Sequence, residues 1–111
     1  MKKFLVLYHA PISASEQMAK ATPEQAKAGM DLWMSWSKKN ASKIADLGAP
    51  LRPGKSTQAR SASESKSTIT GYSLLQDESM DAATKALADH PHFHTPGVSI
   101  EILEFLPIPG M

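Results

Sequence analysis

The sequence predicts a single α+β domain in which strands and helices follow the order βαββαβ, and three observations lead to this prediction. Short segments rich in β-branched and aromatic residues lie near both ends of the chain. A long segment with helical periodicity follows the first of them, and a further strand and a capped helix occupy the second half. Because 111 residues provide one core, residues 1–111 are expected to form one domain.

The first strand is predicted at Phe4–Tyr8, which ends at the turn around Pro11. Both alternating sets of its side chains are apolar. A strand that is apolar on both faces is normally covered on both faces. We therefore expect a layer of protein on each side of the sheet.

The first helix has the clearest start signal in the chain. Thr22 can cap it, a proline follows at the first helical position, and Gln25 can bond back to the cap amide. Apolar residues then recur every three or four positions, which predicts a helix over Pro23–Leu47 that ends at Gly48. Its length of roughly 37 Å leaves two alternatives, a bend at Asn40 or an end that overhangs the sheet.

The second half supplies the remaining elements. Residues 50–66 predict a polar connection with an edge strand near residues 56–61. A strand is predicted at Thr68–Leu75, a helix that begins at Ser79, and a last strand at Val98–Phe105.

This order is typical of a ferredoxin-like sandwich, an antiparallel sheet with both helices on one face. Leu5, Leu7 and Leu103 are then expected on the other face, together with Phe105. Because such an apolar face is rarely left in water, a second copy of the chain is the expected cover.

Several motifs in the second half resemble those of YCII-related (DGPF) proteins, which belong to the dimeric α/β-barrel superfamily. They are Gly71-Tyr72-Ser73-Leu74-Leu75, Ser79-Met80-Asp81-Ala82-Ala83, Pro91, and Gly97-Val98-Ser99-Ile100-Glu101-Ile102. The resemblance implies a ferredoxin-like dimer that pairs through its sheets. It implies no particular activity, although the superfamily includes cofactor-free isomerases, lyases and monooxygenases. This chain has Ala59-Arg60-Ser61-Ala62 where the family signature would stand, and no histidine in its long helix.

The composition and motifs of the chain argue against nucleic-acid, membrane and cofactor binding. A net charge of +1 lacks the one-sided field of nucleic-acid and anionic-membrane binders. The absence of cysteine excludes disulfides and thiolate sites. No phosphate loop, dinucleotide fingerprint or nucleophile elbow occurs, so no cofactor is expected. The apolar run at Phe4–Tyr8 is too short for a signal peptide, which predicts a cytoplasmic protein.

His9 and Glu101 are the predicted acid/base pair. His9 ends the first strand and Glu101 lies on the last one, and these strands are neighbours in a ferredoxin-like sheet. If both side chains face one cleft, the imidazole is a general base and the carboxylate orients it. The alternative interpretation is a polar rim at a strand end.

Four further residues are predicted to contact a ligand: Tyr72, Ser99, Trp33 and Trp36. The two tryptophans lie about 60° apart on one helix stripe, a pattern more often explained by core or dimer packing. His90, His92 and His94 would project to one side of an extended backbone as metal ligands. The alternative, which we favour, is a His90 stabilised by a helix end beside two solvated imidazoles, with no metal.

The function predicted first is a homodimer that binds a small molecule in a cleft at the sheet face, near His9, Tyr72 and Glu101. The first alternative is a cofactor-free enzyme in which a histidine acts as general base on a cyclic or carbonyl compound. The second is a structural or interaction dimer without a ligand.

Overall fold

A four-stranded antiparallel sheet lies at the centre of the computed structural model, which describes residues 1–110. In spatial order its strands are β2 (Ile44–Pro50), β5 (Ile69–Asp77), β1 (Lys2–His9) and β6 (Ser99–Glu104). A separate hairpin consists of β3 (Lys55–Gln58) and β4 (Ser61–Glu64). The helices are α1 (Ala14–Lys20), α2 (Pro23–Lys39) and α3 (Met80–Leu87), with 3₁₀ turns at Ala41–Lys43 and Pro91–His94.

The core lies between the helices and one face of the sheet. Phe4 and Val6 of β1 have no exposed surface and Tyr8 is 2% exposed. They form one cluster with residues from α2, α3 and β5, namely Trp36, Ala83, Leu87 and Leu75. Helices α2 and α3 therefore cover the same face, as the sequence predicted.

The helix starts predicted from the sequence are confirmed. The Thr22 side chain accepts from the Gln25 amide, and the Gln25 side chain accepts from the Thr22 amide, which completes a capping box. The Ser79 hydroxyl caps α3 by accepting from the Ala82 amide.

The prediction that the first long helix extends to Leu47 is wrong, because α2 ends at Lys39. Asn40 leaves the helical conformation, and its side-chain amide donates to the Trp36 carbonyl. The next residues turn and form β2, which pairs with β5. The structure therefore has neither a bent helix nor an overhanging one, because the helix ends and a strand follows.

Gly48 has a different role from the predicted helix stop. Its φ of +83° lies within β2, where the register with β5 shifts between Asp46 and Ala49. A Cβ at this position would be 1.7 Å from the Tyr72 carbonyl oxygen. Only glycine therefore allows β2 to approach β5 this closely.

The prediction of an edge strand of the main sheet near residues 56–61 is also wrong. Those residues fall in the β3–β4 hairpin, whose strand residues are all exposed. Its turn has Ala59 at a φ of 51°, and Lys55 and Glu64 form an ion pair of 2.8 Å across it. The edge position in the main sheet belongs to β2 instead.

The α+β class and the antiparallel sheet are confirmed. Ser13 and Glu16 also predict the short helix α1, which the Ser13 hydroxyl caps by accepting from the Glu16 amide, while the hairpin is an addition to the predicted order of elements. Among residues 1–110, no helix combines the length and the hydropathy that a bilayer crossing requires.

Candidate functional site

The face of the sheet opposite the helices is uncovered in the single chain and mostly apolar; we call it the open face. Its cross-strand rows are Leu74, Leu5 and Leu103, and next to them Tyr72, Leu7 and Glu101. Leu103 is 43% exposed, while Leu5 and Leu7 are half-buried. The open face is thus a continuous apolar surface with a polar margin at the His9 end of β1.

His9 lies at that margin and is held by hydrogen bonds on both sides of its ring. A register shift between Tyr8 and His9 ends the regular pairing of β1 with β5. The Nδ1 atom is 2.7 Å from Thr68 Oγ1, and Nε2 is 2.8 Å from Glu101 Oε1. These three residues form a chain of hydroxyl, imidazole and carboxylate, which we call the His9 chain.

The direction of these bonds follows from the carboxylate. Ionised Glu101 is only an acceptor, so Nε2 of His9 carries a proton. In the neutral ring Nδ1 is then an acceptor, and the Thr68 hydroxyl donates to it. Carboxylate, imidazole and hydroxyl are thus arranged as in sites where a carboxylate orients an imidazole that accepts a proton from a hydroxyl.

The structure brings some of the predicted site residues together and separates others. His9 and Glu101 are in contact, and Ser99 lies opposite His9 in the pairing of β1 with β6. Tyr72 is on the same face but is separated from Glu101 by Leu7. The roles of these residues in catalysis or binding remain predictions.

Thr68 is the member of the site that sequence reasoning missed. It precedes β5, and its carbonyl accepts from the Ala10 amide at 3.0 Å, which fixes the strand end beside His9. The sequence does contain a signal for Thr68, because a threonine just before a strand can place its hydroxyl at the margin of the sheet. The register shift after Tyr8, which brings the Thr68 hydroxyl to the His9 ring, was not predictable from the sequence.

Trp33 and Trp36 lie on the other side of the sheet from the His9 chain. Trp36 is 4% exposed, and its indole nitrogen donates to the Ala86 carbonyl at 3.1 Å. Trp33 packs edge-on against Tyr8, with ring centroids 5.1 Å apart. This placement supports the packing interpretation, and neither indole shares a site with His9.

His90 is buried within an aromatic cluster and is 1% exposed. Its ring centroid is 4.4 Å from those of Trp33 and Trp36 and 5.0 Å from that of Tyr8. Burial is the main reason that the pKa of His90 falls to about 4, and the nearby His92 lowers it further. The predicted stabilisation of a charged His90 by a helix end is therefore wrong, because this imidazole is neutral.

The proton of neutral His90 is on Nε2. Its Nδ1 accepts from the His92 amide at 2.9 Å and so caps the 3₁₀ turn Pro91–His94. Nε2 has no hydrogen-bond partner within residues 1–110. A second proton would have to occupy Nδ1 and displace the His92 amide.

The three histidines of this segment do not converge, because the backbone is a 3₁₀ turn and not the extended chain that the metal hypothesis required. The side chain of His92 donates from Nε2 to the His9 carbonyl at 3.0 Å, so it is not simply solvated, while His94 is exposed. Across the described part of the chain, no group of three His, Asp or Glu residues is placed to hold a metal.

A second hydrogen-bond chain crosses the covered face. The Tyr8 hydroxyl is 2.8 Å from Ser73 Oγ, which donates to the Leu47 carbonyl at 2.6 Å. Tyr8 is then the donor to Ser73. Burial raises the pKa of the Tyr8 phenol to about 12, so it stays protonated and ties β1, β5 and β2 together.

A cleft of about 270 Å³ lies beside Thr68, at the end of the sheet; we call it the Thr68 cleft. Its walls come from the turn after β1, the start of α1 and the segment that enters β5: Ala10, Pro11, Ser13, Glu16, Pro53, Lys66, Ser67, Thr68, Ile69 and Thr70. Neither His9 nor Glu101 lines it, so Thr68 is the one member of the His9 chain that does. A shallower groove of about 220 Å³ lies between α2 and the 3₁₀ turn.

Comparison with known proteins gives little further information. No protein-family model matches the chain, and no curated protein matches it. Among solved structures it is similar to 5-chloro-2-hydroxyhydroquinone dehydrochlorinase (TftG) from Burkholderia phenoliruptrix AC1100, in complex with 2,5-dihydroxybenzoquinone. The identity is 15%, the match covers 91% of each chain, and the TM-score is 0.48. A similarity at this level supports no statement about activity.

Proposed function

We propose that the chain is a YCII-related, ferredoxin-like domain that pairs through its open face and binds a small molecule at the His9 end of that face. The observation that carries the proposal is the His9 chain. An imidazole bonded to a carboxylate on one side and a hydroxyl on the other lies at the margin of an apolar surface. Apolar surroundings with a few convergent polar groups are typical of small-molecule sites.

The apolar character of the open face supports the dimer. Leu103 and Phe105 are 43% and 48% exposed, next to the half-buried row of Leu5 and Leu74. A monomer seldom leaves a contiguous apolar patch of this kind in water. A two-fold axis through the open face would cover it with its own copy.

Replacing Leu103 with glutamate is expected to weaken the dimer by at least about 100-fold, because a carboxylate would be buried without a partner. The matched control is Leu32→Glu, since Leu32 is 44% exposed but lies on α2. Sedimentation velocity over a range of concentrations measures both variants and the parent. A parent that stays monomeric at high micromolar concentration, or equal dissociation constants for the two variants, would contradict pairing through the open face.

The second candidate is a cofactor-free enzyme in which His9 is the general base. The specific observation in its favour is the orienting carboxylate, because Glu101 fixes the ring and stabilises the imidazolium that forms. In this scheme a cyclic or carbonyl compound loses a proton to the His9 chain. Tyr72 supplies a phenol on the same face.

The neutral probes phenol and cyclohexanone test the ligand site by protein-detected NMR. We expect shifts at His9, Ser99, Tyr72 and Glu101, and binding about tenfold weaker in His9→Gln, which lacks one charge-assisted hydrogen bond. His94→Gln, at an exposed histidine, is the control.

Exchange of the α-protons of cyclohexanone into deuterated water separates the binder from the enzyme, because these protons exchange slowly without a base. A rate reduced by 10²-fold or more in His9→Gln would establish the enzyme. Binding that is unchanged in His9→Gln, or shifts confined to the helices, would refute the site and leave the structural dimer.

A further inference from the structure

The Thr68 hydroxyl changes its hydrogen-bonding capacity with the protonation state of His9. When the ring is neutral, Thr68 donates its proton to Nδ1 and has only acceptor capacity left for a ligand. When the ring is protonated, Nδ1 becomes a donor and Thr68 accepts from it. The hydroxyl proton is then free to turn towards the Thr68 cleft.

The walls of the Thr68 cleft have the size and chemistry for a small acid. Its volume of about 270 Å³ is just below the range for drug-sized ligands, which selects a smaller molecule. Pro11, Pro53 and Ile69 supply apolar surface. Lys66 supplies a cation that is in no ion pair within residues 1–110, and Glu16 supplies an opposing carboxylate.

We propose that the Thr68 cleft binds a small organic carboxylate together with one proton, which His9 takes up. The carboxylate accepts a hydrogen bond from the Thr68 hydroxyl and is attracted by Lys66. The hydroxyl can donate to the ligand without losing its bond to Nδ1 only when His9 is an imidazolium, so binding of the anion favours binding of the proton. The inference rests on the proposed function, because it names a ligand class for the same His9 chain.

The charges around His9 determine the sign of the pH dependence. Glu101 contacts the ring directly and His92 contacts the His9 carbonyl oxygen, while Lys66 and Glu16 line the neighbouring Thr68 cleft. Lys66 and Glu16 cancel each other, and the proton on His9 offsets Glu101. Carboxylate affinity therefore falls as the pH rises, by up to about tenfold per pH unit for one linked proton.

Calorimetric titration with acetate and benzoate tests the linkage. Binding heats measured in two buffers of different ionisation enthalpy give the number of protons taken up. We expect net proton uptake by the parent protein and by Thr68→Ser, and none by Thr68→Val. Benzamide, which matches benzoate in shape but lacks its charge, is expected to bind without proton uptake.

Substitutions of the two charged wall residues test the location of the anion. We expect Lys66→Gln to weaken benzoate binding about fivefold and Glu16→Gln to strengthen it by a similar factor, because both act through Coulomb attraction or repulsion at a partly solvated site. Lys38→Gln, at an exposed lysine of α2, is the matched control. Amide shifts of Ser67, Thr68 and Thr70 locate the bound probe.

The outcomes separate this inference from the proposed function. Benzoate binding without proton uptake, or uptake that persists in Thr68→Val, would overturn the inference. The inference would also be overturned if the amide NMR signals of the cleft residues did not shift at up to a 20-fold excess of acetate or benzoate over a millimolar protein sample. None of these results would affect binding of the neutral probes at His9, which tests the proposed function independently.

Discussion

Lowering the pH from 7 to 4 is expected to reduce the free energy of unfolding by up to about 3 kcal/mol through His90 alone. The folded pKa of His90 is about 4, against 6.5 for the free side chain. Between these values the unfolded chain binds more protons, so stability falls as the pH decreases. Each pKa unit corresponds to about 1.36 kcal/mol. The loss starts near pH 6.5 and levels off below about pH 4.

Urea unfolding at half-unit pH steps measures this loss. In His90→Asn an amide oxygen still caps the 3₁₀ turn, but the side chain does not titrate between pH 4 and 7. We expect lower stability at pH 7 from the lost aromatic contacts, and a flatter pH dependence. His94→Asn, in the same turn but exposed, should keep the slope of the parent. If His90→Asn and the parent have the same slope, His90 is not the group responsible.

Replacing Gly48 with alanine is expected to cost about 4 kcal/mol or more. A φ of +83° is unfavourable for any residue with a Cβ, and the new Cβ would be 1.7 Å from the Tyr72 carbonyl oxygen. Because that oxygen belongs to the backbone of β5, a side-chain movement cannot relieve the overlap. The pairing of β2 with β5 would have to open.

Gly29→Ala is the control for this substitution. Gly29 lies within α2, and a Cβ there would have no atom within 4 Å. Alanine at this position is expected to stabilise the protein by about 1 kcal/mol. Denaturant unfolding of both variants gives the comparison. A loss of less than 1 kcal/mol in the free energy of unfolding of Gly48→Ala would show that β2 does not approach β5 this closely at Gly48.

The sequence predicted the elements whose signals are local. The caps at Thr22 and Ser79, and the strands β1, β5 and β6, depend on residues within a few positions of each other. Strand β2 was missed because Ile44 and Leu47 happen to continue a helical spacing. What makes this segment a strand is its pairing with β5, which is far away in sequence.

The sequence also predicted only some of the contacts at the candidate site. The order of the strands made a contact of His9 with Glu101 possible, and the register, in which His9 pairs with Ser99 and Leu7 with Glu101, brings the two side chains together. Thr68 depends on a register shift after Tyr8, which alternation of side chains does not reveal. His90 was misjudged because its burial arises from rings on α2 and β1.

The sheet separates the two tryptophans from the His9 chain, and this has a spectroscopic consequence. Both indoles contact the His90 ring, and emission from an indole responds to the charge and packing of groups that touch it. Intrinsic fluorescence should therefore report the protonation of His90 during acidification. A ligand bound at His9 or in the Thr68 cleft should leave the emission unchanged, so one optical signal can follow folding while a second technique follows binding.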